Sequence, residues 1–159
     1  MGELLISRRA TEKLSEKLAE ERKVYCSGLH LSARWFVAAN SRVEGINFII
    51  LPDRESAEYC AADLYSLVDG DTVFFLPDSG RRMERSSYKF SLSVQRTSAI
   101  GKLMDYDGKS RLFFVTYPLA LTEGAVAKSF SSDSNLLKLR CGDSLDRAEL
   151  LNRLGEMGF

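Results

Sequence analysis

Residues 45–68 read GINFIILPDRESAEYCAADLYSLV, and this stretch decides the fold class. The run INFIIL at 46–51 is continuously apolar and lies between Gly45 and Pro52, which is typical of a strand buried on both faces of a parallel sheet. Asp53 predicts the N-cap of a helix. The predicted inner face of that helix consists of Ala57, Ala61, Leu64 and Val68. The stretch therefore predicts a buried strand followed by a helix that packs on the sheet.

The same pattern recurs on both sides of this stretch. Further short apolar strands are predicted at 23–27 (KVYCS), 72–76 (TVFFL) and 111–116 (RLFFVT). Amphipathic or buried helices are predicted at 3–22, 32–42 and 92–104. Strands that alternate with helices need crossover connections, so the sequence predicts an α/β fold with a parallel sheet flanked by helices.

A change in composition near residue 129 predicts a domain boundary. Residues 1–128 are expected to form the α/β domain, and residues 129–135 (SFSSDSN) form a Ser-rich break. A strand at 136–141 (LLKLRC) and a helix capped near Ser144 are predicted after the break. We expect residues 129–159 to be a linker and the truncated beginning of a second, small α+β domain.

Composition excludes several function classes. The 22 basic and 22 acidic residues give a net charge of zero, so there is no bulk attraction to nucleic acid. No apolar run is long enough to span a bilayer, and no secretory signal begins the chain, which favours a cytoplasmic location. Cys26, Cys60 and Cys141 show no CxxC spacing. They are expected to be buried thiols, with no metal site, disulfide framework or cofactor.

Residues 24–40 (VYCSGLHLSARWFVAAN) have the layout of a phosphate-binding loop, in which a strand leads through glycine into a helix. A working loop reads GxxxxGK[ST]. Gly28 occupies the first glycine position, and Ser32 precedes the predicted helix. Ala33, Arg34 and Trp35 stand where the second glycine, the lysine and the magnesium-binding hydroxyl belong.

Each of these replacements opposes nucleotide chemistry. Ala33 lacks the conformational freedom of glycine, and the guanidinium of Arg34 is bulkier than an ammonium group. Trp35 offers no oxygen to magnesium. We therefore predict a degenerate, non-functional nucleotide loop and no catalytic residue in the chain. A plain turn between a strand and a helix explains the same pattern.

Two further sets of polar residues are weaker candidates. Basic side chains in the polar stretch 78–90 could contact phosphates or a partner, and a solvated surface loop is the alternative. These side chains are Arg81, Arg82, Arg85 and Lys89. Asp53 and Asp78 both follow strand ends, where roles in a helix cap or a turn explain them better than a catalytic carboxylate pair.

Six segments, taken in order, carry a family resemblance. They are GLHLSARWFVAAN, FIILPDRESAEYCAADL, VFFLPDSGRRME, QRTSAIGKL, LFFVTYPLAL and LKLRCGDSLDRAELLNRLGEMGF. Together they cover most of residues 20–159. In order and spacing they resemble the N-terminal, UvrB-like module of bacterial transcription-repair coupling factors (the Mfd family).

The resemblance implies a P-loop-type sheet like domain 1a of the excision-repair helicase UvrB. UvrB has an intact phosphate loop at the position of residues 28–35, and the coupling factors have lost it. UvrB also inserts a DNA-clamping hairpin where this chain has only the stretch 78–90. The resemblance therefore implies neither ATPase activity nor direct DNA binding by this chain, although the parent protein would be an ATP-dependent DNA translocase.

The resemblance also implies the partners. The family module helps recruit UvrA to RNA polymerase stalled at DNA lesions in the bacterial cytoplasm, and it restrains the translocase of the parent. The family's UvrA contact lies in the second domain, so we expect residues 129–159 to hold an incomplete UvrA site.

Two other hypotheses stay open from the residues alone. One is a small nucleotide-binding, P-loop-like enzyme that uses Arg34 in an unorthodox loop. The other is a nucleic-acid-binding module that uses the four basic residues of the stretch 78–90.

Overall fold

The structure is a computed structural model, and it describes residues 8–41, 43–80, 87–125, 137, 139–142, 144 and 146–156. The chain divides into two compact units, residues 1–124 and residues 125–159. The predicted domain boundary, after residue 128, lies outside the described residues.

The first unit has an α/β architecture. Its elements are α1 (Arg8–Glu20), α2 (Ala33–Asn40), β1 (Ile46–Ile50), α3 (Arg54–Leu67), β2 (Val73–Phe75), α4 (Ser87–Met104), β3 (Leu112–Thr116) and α5 (Pro118–Thr122). The strands form a three-stranded sheet in the order β1-β3-β2, and both pairings are parallel. The predicted α/β fold with a parallel sheet flanked by helices is confirmed.

The central strand β3 is buried along its whole length, as its continuous apolar run predicts. Phe113 and Val115 pack into a core cluster with residues of α2 and α3. Leu112 and Phe114 pack on the other side with Ala99 of α4. The sheet is therefore covered by helices on both faces.

The cap of α3 follows the sequence prediction. The Asp53 side chain accepts a hydrogen bond from the backbone N–H of Ser56 at 2.8 Å. Three residues of the predicted inner face, Ala57, Ala61 and Leu64, are buried. Val68 is partly buried and packs against the same cluster.

The predicted strand at 23–27 is wrong. The structure has no strand between residues 21 and 32, and Tyr25 is 82% exposed. Only three consecutive apolar residues lie between Lys23 and Ser27, so a strand here would bury little surface to offset the cost of ordering its backbone. The helix that follows, α2, therefore does not continue from a strand of the sheet.

Other element boundaries also differ from the prediction. Of the predicted helix 3–22, residues 3–7 lie outside the described part, and the helix ends at Glu20. α4 begins at Ser87, five residues before the predicted start. The short helix α5 was not predicted, and Pro118 at its first position suits a helix start.

The second unit contains the helix α6 (Arg147–Glu156). Its first turn is capped by Asp146, whose carboxylate accepts from the backbone N–H of Ala148 at 2.7 Å, and not by the predicted Ser144. None of residues 137 and 139–141, which fall in the predicted strand 136–141, is in a strand, so that prediction is wrong for these positions. They pair with no strand in the part that the structure describes.

Phe114 provides a test of the sheet's core. Its ring is fully buried and stacks on Phe48 and Phe74, with centroid distances of 5.5 and 5.2 Å. We expect Phe114→Ala to lower the free energy of unfolding by about 3–5 kcal/mol, because it removes a core ring and leaves a cavity. Phe48→Ala is the matched control, with an expected cost of only about 1 kcal/mol since that ring is 47% exposed. Urea denaturation measures both, and equal losses would contradict this account of the core.

Candidate functional site

The segment around Gly28 forms a loop that ends in α2. Ser32 is the N-cap residue, and Ala33, Arg34 and Trp35 form the first turn of the helix. The left-handed backbone angles fall on Gly28, with φ of 78°, and on Leu31, with φ of 48°. Ala33 is helical, so the expectation that this position needs the freedom of glycine does not apply to this loop.

The first amides of α2 are already occupied. A phosphate at a helix N-terminus is held by backbone N–H groups that have no partner within the helix. Here the N–H of Ala33 donates to the carbonyl of His30 at 3.1 Å, and that of Arg34 donates to the carbonyl of Leu31 at 3.5 Å. A phosphate could bind these N–H groups only if the loop broke the two hydrogen bonds that form its turn.

A carboxylate also lies at the start of α2. The Ser32 hydroxyl donates to the Asp63 carboxylate of α3 at 2.6 Å. Asp63 brings a negative charge to the position where a nucleotide phosphate would have to bind, and like charges at this spacing repel. Asp63 therefore offsets the positive charge of Arg34 at this helix end.

Arg34 and Trp35 contact each other, the loop before α2 and the core. The Arg34 guanidinium lies over the Trp35 ring, 4.4 Å from its centroid, and its Nε donates to the Leu31 carbonyl at 3.4 Å. The Trp35 side chain is buried in the core cluster beside Ala39. A tryptophan suits this position because it anchors α2 to the sheet.

Next to this loop lies a cavity of about 620 Å³ between α1, α2 and β1. Arg34 and Cys26 line it, and most of its other lining is apolar, including Leu29, Val37 and Phe48. A phosphate needs several convergent polar donors, so the composition of this wall does not suit one.

The second predicted set of residues is only partly described. Arg81, Arg82 and Arg85 lie outside the described residues. Lys89 lies in the first turn of α4 and is half-buried. The prediction that these four side chains contact phosphates or a partner stays a prediction.

A polar cluster at the carboxyl ends of the strands was missed by the sequence reasoning. The Asp78 carboxylate, after β2, is buried and forms an ion pair with Arg54 at the start of α3. The Tyr117 hydroxyl, after β3, donates to the same carboxylate at 2.5 Å and accepts from the Asp78 backbone N–H at 3.0 Å. The predicted turn is present as well, since the Gly80 N–H donates to Asp78 at 2.8 Å.

The pKa of Asp78 reflects two opposing effects. Burial raises the pKa of this carboxyl, but hydrogen bonds from Tyr117, Arg54 and the Gly80 N–H, with the charge of Arg54, outweigh burial and lower it. Burial and the hydrogen bond to Asp78 raise the pKa of the Tyr117 phenol. Asp78 is thus held as an anion and Tyr117 as a neutral donor.

A second ion pair joins the segments that follow β2 and β3. The buried Arg96 guanidinium of α4 donates to the carbonyls of Pro77 at 2.8 Å and Ala120 at 3.1 Å. Its Nε lies 3.5 Å from the Glu123 carboxylate, which also accepts from the Ser79 N–H at 2.8 Å. Because these groups bind one another, the cluster is suited to holding together the segments that follow β2 and β3.

A sequence signal for this cluster existed. Asp78 and Tyr117 directly follow predicted strands, and the carboxyl ends of parallel strands meet at one edge of a sheet. The sequence did not indicate that Arg54 and Arg96 join this cluster, because both lie on helices whose rotation about their own axes it does not determine.

The cysteines differ from the expectation of three buried thiols. Cys26 and Cys141 are exposed, and only Cys60 is buried. Burial, with the nearby Asp63 carboxylate, raises the pKa of Cys60 to about 12, so this thiol stays protonated and unreactive at neutral pH. Across the described ranges, no group of three or more His, Cys, Asp or Glu side chains could hold a metal ion.

Asp78→Asn tests the ion pair by its dependence on pH. At pH 7 we expect the variant to be less stable by about 2 kcal/mol, because bonds from Arg54 and Tyr117 to a charged acceptor become weaker ones. The folded-state pKa of Asp78 is lowered, so its contribution is present above the unfolded-state pKa of about 4 and is lost as the pH falls through the folded value.

Urea denaturation between pH 7 and pH 3 measures this difference. The gap in unfolding free energy between the wild type and Asp78→Asn should narrow below about pH 4. Asp105→Asn is the control, since this carboxylate is exposed and lies outside the cluster, and the gap for this variant should stay constant over the same pH range. For Asp78→Asn, a gap that stays constant down to pH 3 would contradict the proposed role of the Asp78 charge.

The loop before α2 leads to a prediction about nucleotide binding. We expect a titration with ATP and magnesium to give no saturable signal up to millimolar nucleotide, because the first amides of α2 are occupied and Asp63 repels phosphate. Arg34→Ala should behave in the same way. Magnesium-dependent binding or turnover that disappears in Arg34→Ala would overturn the degenerate-loop interpretation and favour the enzyme hypothesis.

No helix in the described ranges is long and apolar enough to cross a membrane. Comparison with protein-family models, curated proteins and solved structures finds no match to this chain.

Proposed function

We propose that this chain is a non-catalytic module of a transcription-repair coupling factor. In the parent protein it helps to recruit UvrA to RNA polymerase stalled at DNA lesions, and it restrains the ATP-dependent DNA translocase. The proposal includes the finer fold assignment, a P-loop-type sheet like domain 1a of UvrB.

The observation that carries the proposal is the start of α2. A glycine loop leads into a buried helix, as in a phosphate-binding loop, but among the described residues no strand precedes it, and the amides of Ala33 and Arg34 are bonded within the loop. Asp63 adds a negative charge at the same point. A former nucleotide fold kept without its phosphate site is what a scaffold module of this kind requires.

The segments that carry the resemblance also match the regular elements of the first unit. FIILPDRESAEYCAADL supplies most of β1 and α3, and VFFLPD supplies β2 and the turn at Asp78. QRTSAIGKL lies within α4, and LFFVTYPLAL forms β3 and most of α5. Four of the six segments therefore contribute to the strands and helices that build the core of the first unit.

In the proposal, the two parts of the chain have different roles. In this proposal the UvrA contact belongs to the second domain, to which residues 129–159 are assigned. The first unit serves as the platform that positions it. Direct DNA binding is not part of the proposal, since the basic and acidic residues balance at 22 each.

The enzyme hypothesis receives no support from the site. A nucleotide-binding enzyme needs free amides and an available cation at the loop, whereas Arg34 lies against the Trp35 ring. The basic stretch that a nucleic-acid-binding module would use lies mostly outside the described residues. The coupling-factor module is thus the function that the described residues support best.

A strand-specific repair assay tests the proposal. In cells that carry the gene for this chain, we expect deletion of residues 8–156 to abolish the faster repair of ultraviolet lesions in the transcribed strand, because UvrA is no longer recruited to stalled polymerase. Repair of the non-transcribed strand is the internal control and should not change. Unaltered preference for the transcribed strand would contradict the proposal.

A second measurement distinguishes a defect in UvrA recruitment from a loss of translocase activity. The parent protein that lacks residues 8–156 should keep or increase its DNA-stimulated ATPase rate, because the module that restrains the translocase has been removed. A parent that loses its ATPase activity would instead indicate that the segment belongs to the motor itself.

A further inference from the structure

The strand β1 lies at an open edge of the sheet. The order β1-β3-β2 leaves β1 and β2 at the two edges. β2 has only three residues, and its Val73 and Phe75 side chains are buried. β1 has five residues, and its Phe48 and Ile50 side chains are 47% and 56% exposed. The edge formed by β1 is therefore the one that another chain can reach.

The hydrogen bonds to β3 determine which backbone groups of β1 point away from the sheet. In a parallel pair, every second residue of a strand directs its N–H and C=O to the neighbouring strand. The Gly45 C=O accepts from the Leu112 N–H at 2.9 Å, and the Leu51 N–H donates to the Thr116 C=O at 2.9 Å. The odd-numbered residues of this stretch therefore face β3. The residues whose N–H and C=O groups face outward are Ile46, Phe48 and Ile50.

The space beside these outward groups is open. No described strand pairs with this side of β1, and no hydrogen bond joins the outward groups to another described residue. α1 does not fill the space, because the cavity of about 620 Å³ lies between α1 and β1. We name the outward backbone groups and the side chains of Ile46, Phe48 and Ile50 the β1 edge.

The side chains of the β1 edge lie on the α4 side of the sheet. Ile46 packs against the core cluster that contains Phe114, and the Phe48 ring stacks on the Phe114 ring with a centroid distance of 5.5 Å. α4 packs over β2, at the opposite edge of the sheet. Phe48 and Ile50 are therefore left partly uncovered, so apolar side chains and unpaired backbone groups occur on the same strand.

The β1 edge lacks the devices that usually protect an edge strand. Natural edge strands carry a charged side chain, a proline or a bulge that prevents another strand from pairing. The sequence INFII contains neither a charged residue nor a proline. Its five positions pair with β3 in an unbroken register, so no bulge turns the edge away. The β1 edge can therefore accept another uncharged, apolar strand.

β1 of a second copy is such a strand. If two β1 strands run antiparallel about a two-fold axis at Phe48, Phe48 lies opposite Phe48 of the second copy and Ile46 lies opposite Ile50. These are the positions whose backbone groups face outward, so each opposing pair exchanges both of its N–H···O bonds. Such an axis is perpendicular to the sheet and keeps the apolar side chains of both copies on one face, where the two Phe48 rings form a cross-strand aromatic pair.

The charges around β1 are compatible with this register. Between residues 43 and 53 the only charged residues are Glu44 and Asp53. Antiparallel pairing centred on Phe48 places Glu44 opposite Pro52 of the second copy, and Asp53 opposite Val43. No two like charges therefore face each other across the two strands.

A second copy also binds at a lower entropic cost than a flexible peptide. An extended peptide has to order its backbone when it adds to an edge, and that ordering opposes binding. β1 is already held extended by its ladder to β3. The contact area of two short strands is nevertheless small, so the association should be weak and reversible.

We propose that two copies of this chain pair antiparallel through the β1 edge, with Phe48 opposite Phe48, so that one continuous sheet runs across the dimer. This inference does not rest on the proposed function.

Sedimentation equilibrium of the 159-residue chain measures the association. We expect a reversible equilibrium between monomer and dimer, with a dissociation constant on the order of 100 μM because the contact is small. The measurement should therefore extend to about 1 mM chain, so that the dimer dominates at the upper end.

Opposite charges at position 48 test the two-fold axis. Phe48→Lys and Phe48→Glu should each weaken the dimer about tenfold or more, because like charges then lie directly opposite each other. An equimolar mixture of the two variants should restore association, because the opposing charges then differ in sign.

Tyr59→Lys is the matched control. It makes the same exchange of an aromatic ring for an ammonium group at a position on α3 that is 67% exposed and lies outside the β1 edge. Its dissociation constant should change less than about threefold. Circular dichroism and urea denaturation verify that each variant is folded, and restoration by mixing shows that both position-48 variants keep a competent β1.

Disulfide trapping tests the register. Cys26→Ser with Cys141→Ser removes the two exposed thiols from the chain. In that background Phe48→Cys should cross-link on mild oxidation, because the two Cα atoms would lie about 5.5 Å apart, within reach of a disulfide. Ile50→Cys is the control, since its two copies would lie more than about 13 Å apart, and it should cross-link at least about tenfold more slowly.

Four results would overturn the proposal. The first is a chain that stays monomeric up to about 1 mM, and slow hydrogen exchange of the Phe48 and Ile50 amides in that monomer would show that another segment of the same chain covers the edge. The second is a dimer that Phe48→Lys leaves unchanged. The third is a mixture of the two charge variants that associates no better than either alone. The fourth is equal cross-linking of Phe48→Cys and Ile50→Cys.

Discussion

The first unit depends on the complete burial of β3. A central parallel strand that is apolar on both faces is stable only when helices cover both sides of the sheet. α2 and α3 cover the side of Phe113 and Val115, and α4 covers the side of Phe114. Because the chain must return to the same end of the sheet for each strand, the polar residues that follow the strands meet at one edge.

That edge is where ligands commonly bind in open α/β sheets, yet here its polar groups bind one another. Asp78 is bonded to Arg54 and Tyr117, and Arg96 is bonded to Glu123 and to the carbonyls of Pro77 and Ala120. Each buried charge has an opposite charge and hydrogen-bond partners, which is the condition for burying it at tolerable cost. A site of this kind stabilises strand ends, and this agrees with the proposed scaffold role.

The surfaces that remain open are of a different type. At the start of α2 two amides are already bonded and Asp63 lies close by, whereas the surface between α3 and α4 presents Tyr65 and Tyr88 beside Glu58. Tyrosine is enriched in protein interfaces because it offers both apolar area and a hydrogen bond. Exposed tyrosine rings of this kind agree with the proposed scaffold role.

The sequence by itself determined the elements whose pattern is local. The strands at 46–50, 73–75 and 112–116, the Asp53 cap and the inner face of α3 all follow from apolar runs, turn residues and helical spacing. The strand predicted at 23–27 did not form, because a short apolar run becomes a strand only when a neighbouring strand is available to pair with it. Local sequence carries no information on that pairing.

Only the tertiary structure decided which polar side chains meet. Arg54 and Asp78 are 24 residues apart, and Asp78 and Tyr117 are 39 apart, so their contact depends on strand order and on the rotation of α3. The same is true of Ser32 and Asp63, whose contact charges the start of α2. The sequence determined that Arg34 and Trp35 stand where a working phosphate loop has a lysine and a hydroxyl. The packing of α2 against α3 decided that a carboxylate would lie there, because it sets the distance between side chains that are remote in the chain.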